Sequence, residues 1–184
     1  MPETLDDLTK PALTFSADQF AGTIKAHYPF WDAYHRPFLI EGIRRLPPEK
    51  FDFKPRPEML TASQLVLHIA EAELWWIHHI VDGEPYADYV ISDPEGRAGW
   101  TTNYDAPDHN ALLFTIEEAH RHTQRWFGFP VSDLTKRFTR TRANGVTSEY
   151  TLHWILEHVQ EHELHHRAQL FLYLRLMGIA PPPV

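Results

Sequence analysis

The sequence contains no cysteine. That absence excludes disulfides, thiolate metal ligands and a thiol nucleophile carried by the protein itself. Any metal held by this chain must therefore sit on nitrogen and oxygen donors. Positive charge is also in short supply: 17 Lys and Arg stand against 25 Asp and Glu, a net charge of −8. A surface of that sign opposes the counterion release that holds proteins on phosphate backbones, and Lys136, Arg137, Arg140 and Arg142 make only one short basic stretch. No nucleic-acid partner is expected. Nowhere does an apolar run approach the roughly 18 residues of a membrane span, and the opening MPETLDDLTK is acidic, without an apolar signal core. The expectation is a cytoplasmic protein without membrane attachment.

What is present is a globular composition, 43% hydrophobic and 13% aromatic. Such a chain can bury a core, and 184 residues suit one domain spanning 1–184. The periodicity predicts four long helices. The first covers about Ala17 to Arg45, bent or interrupted at Pro29 and Pro37 and stopped by Pro47-Pro48. After the link FKPRPEML, Thr61 and Gln64 form a capping-box pattern that opens a second helix running to about Asp82. A long loop over 84–107 follows, then a third helix over Asp108 to Phe127. RFTRTRANGVTSEYT alternates around Asn144-Gly145, the signature of a tight hairpin. The fourth helix is placed from about Ser148 to Met177, closed by Gly178 and the prolines beyond it. The fold class expected is all-α, a four-helix bundle with a small β-hairpin before the last helix.

Five of the 13 histidines fall between His153 and His166. At 100° per residue, Leu152, Ile155, Leu156, Val159, Leu170, Tyr173, Leu174 and Met177 make one apolar stripe, and His162, Glu163 and His166 lie inside it. His158 and His165 fall on its flank. Residues four apart are neighbours on a helix, so His162 and His166 can present two imidazoles to one divalent ion. HELHH also satisfies the HExxH pattern of zinc proteases, but no Asp, Glu or His follows His166 to serve as a third ligand. The third must come from upstream, and His68, on the polar stripe of an otherwise apolar second helix, is the candidate. Three protein ligands leave a position open for water or substrate.

These residues resemble the DinB/YfiT-like superfamily of metal-binding four-helix bundles. The resemblance is carried by RPEMLTASQLVLHIAEAELWW and by EHELHHRAQLFLYLRLMG, where the usual HHRGQ stands as HHRAQ. It implies His68, His162 and His166 as ligands of zinc, nickel or iron, His165 as a neighbour that does not ligate, and a homodimer. It also implies chemistry of the kind known in the superfamily, transfer to low-molecular-weight thiols such as bacillithiol and mycothiol, with a small-molecule substrate.

Three functions follow as expectations. The first is an S-transferase in which a metal at the three-histidine site activates a low-molecular-weight thiol as co-substrate. The second is a hydrolase using metal-bound hydroxide, with Glu163 or Glu71 moving the proton; the alternative for Glu163 is to orient a ligand. The third is a metal- or ligand-binding stress protein without catalysis. A di-iron scheme built on Glu117xxHis120 and Glu163xxHis166 leaves His68 and His162 without a role. Trp75, Trp76, Tyr86, Tyr89 and Trp100 are read as core or interface, or else as the walls of a substrate pocket; His78 and His79 as too far along the second helix to reach the metal; and His120 and His122 as solvated.

Overall fold

The computed structural model describes residues 22–84, 108–142 and 144–183. The loop expected over 84–107, with Tyr86, Tyr89 and Trp100, therefore lies outside the described residues but for its first position, as do the first turns of the helix expected from Ala17. Four long helical stretches, 29–44, 62–81, 109–127 and 152–176, dominate what is described. A short helix α1, Ile24–His27, precedes them. It is tied to the far end of the third stretch by Ile24 N–H donating to Phe129 O at 2.9 Å and Val131 N–H to Gly22 O at 3.0 Å.

The first stretch opens with a π-helical turn, Trp31–His35, before continuing as α2, Arg36–Arg44. Arg36 N–H donates five residues back to Trp31 O. The wider turn falls where Pro37 has no N–H to continue the ordinary ladder, which is how the chain accommodates that proline without ending the helix. Thr61 and Gln64 form the expected capping box ahead of α3, Ala62–Glu73: Gln64 N–H donates to Thr61 Oγ1 at 3.1 Å and Thr61 N–H to Gln64 Oε1 at 3.0 Å. Beyond Glu73 the helix widens again into a π-helical stretch, Leu74–Val81. This changes the phase of everything after Glu73, so His78 is buried while His79 reaches the Glu84 carbonyl at 2.8 Å.

Asp108 caps α4, His109–Phe127, by accepting from Ala111 N–H at 2.9 Å. The hairpin forms as expected, β1, Arg137–Thr141, pairing antiparallel with β2, Thr147–Thr151, around a left-handed Gly145. Ser148 pairs with Arg140, so the last helix does not begin there. It starts at Leu152, where Thr151 caps it by accepting from Trp154 N–H at 3.1 Å. This helix, α5, Leu152–Leu176, ends as the sequence indicates. Gly178 takes φ 79° while Ile179 N–H reaches Leu174 O and Gly178 N–H reaches Arg175 O, the paired bonds of a glycine-terminated helix.

Helix α3 packs on both α4 and α5, and α2 packs on the same two. The core falls into two clusters. One gathers Leu39, Ile43, Leu65, Ile69, Leu112, Ile116, Leu170 and Leu174; the other, toward the hairpin, gathers Trp31, Trp76, Ile77, Phe127, Leu134, Ile155, Leu156 and Val159. On α5 the second cluster stops at Val159 and the first resumes at Leu170. The turns between carry His162, Glu163 and His166, so polar groups occupy the helix where the apolar packing is interrupted. Among the described residues no helix is long and apolar enough to cross a membrane. The basic stretch is engaged locally: Lys136 with Asp133 at 2.7 Å, Arg137 with Glu149, and the Arg140 guanidinium 4.5 Å from the Trp75 ring.

Gly42 shows how closely α2 approaches α5. A Cβ there would stand 2.6 Å from Phe171 Cε1, a ring that is itself buried. Overpacking of this kind costs roughly 1–3 kcal/mol, against about 1 kcal/mol gained from alanine's better helix propensity. Gly42→Ala is expected to lower the urea midpoint without changing the slope of the transition.

Candidate metal centre

Helix α3 supplies His68 and α5 supplies His162 and His166, and the three rings meet with centroids 4.3–4.7 Å apart. Each offers a ring nitrogen, and the three nitrogens lie within 4.8 Å of one another. His68 Nε2 and His162 Nε2 stand 3.2 Å apart. Two nitrogens bound to one tetrahedral ion at about 2.0–2.1 Å are separated by about 3.3 Å, so this pair fits a shared metal.

The outer nitrogens are arranged to match. His166 Nδ1 donates to Gln169 Oε1 at 2.9 Å, which leaves the Nε2 lone pair for a metal. Glu71, buried, brings Oε2 to 3.8 Å from His68 Nδ1, on the side away from His162. Burial first, then the neighbouring His166 and His68, depress His162 to about 2; burial outweighs the Gln169 bond and brings His166 to about 4. Both imidazoles are therefore neutral at ordinary pH, the state in which histidine ligates.

His165 is exposed, with Nε2 2.9 Å from the amide of Gln169 and its ring edge-on to that of His166. His165→Ala is expected to retain metal and His166→Ala to lose it, as read by metal analysis of the purified variants. The reverse outcome would mean that α5 is rotated from this assignment.

Glu163 is almost wholly buried, and its Oε2 accepts from Trp31 Nε1 at 2.9 Å and pairs with Arg36 Nη2 at 2.8 Å. The same Arg36 nitrogen pairs with Glu73 Oε2 at 2.7 Å. His120 continues the network, with Nδ1 2.7 Å from Glu73 Oε1 and Nε2 2.7 Å from Asp32 Oδ1. Both of its nitrogens face carboxylates, so His120 is the imidazolium donating to both. The 2.8 Å approach of Arg36 Nη2 to Nδ1 is then a contact between like charges that the flanking carboxylates offset. His120 is thus buried at 4% exposure rather than solvated. Burial opposes its charge, but Glu73 and the bond to Asp32 prevail and raise it above its ordinary value. His122 is half-buried with its ring against His78. Arg36 thus lies between the Glu73 and Glu163 carboxylates that α3 and α5 bring together.

Trp76 is buried against Tyr150, Trp154 and His158, and Trp75 is half-buried beneath Arg140. Gln169 and the Arg36 network were not singled out by sequence reasoning. Gln169 had a usable signal, since it stands three residues after His166 on the same helical face.

The comparisons agree with the architecture. The sequence profile of the DinB family matches residues 25–184. A crystal structure of a DinB-like protein from Bacillus cereus ATCC 10987 aligns with a TM-score of 0.57 at 18% identity, covering 88% of this chain and 97% of that one. That likeness is one of fold. No curated protein matches the chain. With the family profile matched across almost all of the described helices, this chain belongs to the DinB family.

Proposed function

We propose that this protein is a divalent-metal-dependent enzyme that transfers a group to a low-molecular-weight thiol at a centre formed by His68, His162 and His166. The observation that supports it most is the donor set: three imidazoles, two of them held neutral, with no carboxylate in the cluster. Three neutral ligands leave a divalent ion's charge uncompensated and favour an anionic fourth ligand. A bound zinc, nickel or iron ion supplies Lewis acidity that holds a coordinating thiol as thiolate. Gln169 fixes the ring of His166, and Glu71 is the carboxylate placed to orient His68 and to take up a proton. Glu163, held by Arg36 and Trp31, keeps the α5 ligands against the core, and it is the second candidate for moving a proton. In this reading the centre sits in the interior of a four-helix bundle. The substrate is a small electrophile, with neither nucleic acid nor membrane as partner. The protein works as a homodimer in the cytoplasm, where such thiols are kept reduced.

The test uses cobalt-loaded protein and separate additions of bacillithiol, mycothiol, glutathione and cysteine. At least one is expected to produce a sulfur-to-cobalt charge-transfer band that His162→Ala lacks. If no thiol perturbs the metal and a panel of esters or amides is turned over instead, the protein is a hydrolase.

A further inference from the structure

A second set of donors lies where α1 meets the first turn of α5. His27 ends α1, and His153 and Glu157 stand one turn apart on α5. The His27 and His153 rings have centroids 5.4 Å apart. His153 Nε2 is 3.7 Å from Glu157 Oε1, and one ligand atom from each of the three residues lies within 4.8 Å of the other two. The buried Tyr28, next to His27, directs its hydroxyl to the His153 carbonyl at 3.5 Å, and so joins the end of α1 to the start of α5.

The Tyr28 hydroxyl also bonds the Glu157 carboxylate and so holds it beside the two rings. Two imidazoles and one carboxylate within this distance of one another are a recurrent zinc donor set, three protein ligands with a position left open. His153 and Glu157 repeat on this turn the i, i+4 spacing of His162 and His166. The two clusters cannot share an ion. Nine residues of helix separate His153 from His162, which is about 14 Å of rise and about half a turn around the axis.

We propose that His27, His153 and Glu157 form a second divalent-cation site, taking Zn2+ or an ion of similar chemistry, that clamps α1 onto the start of α5. The site is separate from the three-histidine centre and stands whether or not that centre transfers thiols.

The test is calorimetric titration of metal-free protein with micromolar Zn2+. Wild type is expected to bind about two equivalents per chain, and His162→Ala and His153→Ala about one each. The double variant is expected to bind none. Glu157→Gln, at a half-exposed position, guards against a folding defect in His153→Ala and is expected to weaken the same equivalent. In the His162→Ala background, Zn2+ is also expected to slow amide exchange over residues 24–28, and His27→Ala to abolish that slowing. The proposal is overturned if His162→Ala, with wild-type circular dichroism and melting, binds no Zn2+. It is equally overturned if His27→Ala, His153→Ala and Glu157→Gln all leave the titration of the His162→Ala protein unchanged. Wild-type binding by His162→Ala would instead count against the three-histidine centre, which separates the two failures.

Discussion

Arg36→Met is expected to destabilise the protein by roughly 3–5 kcal/mol, the usual consequence of removing one partner from a buried ion pair. Arg36 is 7% exposed and lies between Glu73 and Glu163, at 1% and 2%. Without the guanidinium, two carboxylates remain in the core with His120 as the nearest cation. Chemical denaturation at neutral pH measures the loss. The pH profile separates this cause from lost packing. Burial alone would raise Glu73, but Arg36 and His120, with bonds from His120 and Thr123, outweigh it and hold the carboxyl at about 2 against an ordinary 4.5. A folded value below the unfolded one contributes stability that is present above 4.5 and lost as pH falls toward about 2. His120, raised from 6.5, acts in the opposite sense: its contribution is full below 6.5 and is lost as pH rises through its folded value. Wild-type stability should therefore fall off in acid below about pH 4.5, and Arg36→Met should show a shallower acid decline because its Glu73 is no longer held low. An equally steep decline in the variant would show that Arg36 does not set the Glu73 equilibrium.

His162→Ala carries the second large effect: loss of the ion from the three-histidine centre. His162 is the ligand that faces His68 across the two helices, and removing it leaves two donors on different elements without the close Nε2 pair. A drop in affinity of at least 100-fold is expected, larger than the 10–100-fold typical of changing a residue that only orients a ligand. Stability need not suffer, because the ring is half-buried and its two neighbours are themselves imidazoles. Retained Zn2+ affinity in His162→Ala, once the His27 cluster is also removed, would eliminate the centre.

The cluster of His68, His162 and His166 was legible in the sequence because each helix shows its own part of it locally. His162 and His166 are one helical turn apart on an apolar stripe, and His68 interrupts the apolar surface of α3. The hairpin, the Thr61 capping box and the Gly178 terminus were legible for the same reason: each is written within a few adjacent residues. What escaped depends on distant partners. His120 reads as a polar residue on an amphipathic helix, and its burial is decided by Glu73 and Asp32, 47 and 88 positions away. Whether Ser148–Thr151 continues a strand or starts a helix is settled by pairing with β1, not by the segment itself. The π-helical turns at Trp31–His35 and Leu74–Val81 change the helical period without a composition signal beyond Pro37 in the first case, so a 100° wheel does not give the faces beyond Glu73.

The most direct measurement is anomalous diffraction at the absorption edge of an ion loaded into crystals of the full chain. The account predicts a peak within bonding distance of His68, His162 and His166, about 2.0–2.1 Å from each ligating nitrogen for zinc. A fully loaded crystal with no density between those three rings, whatever is found beside His27, would contradict it.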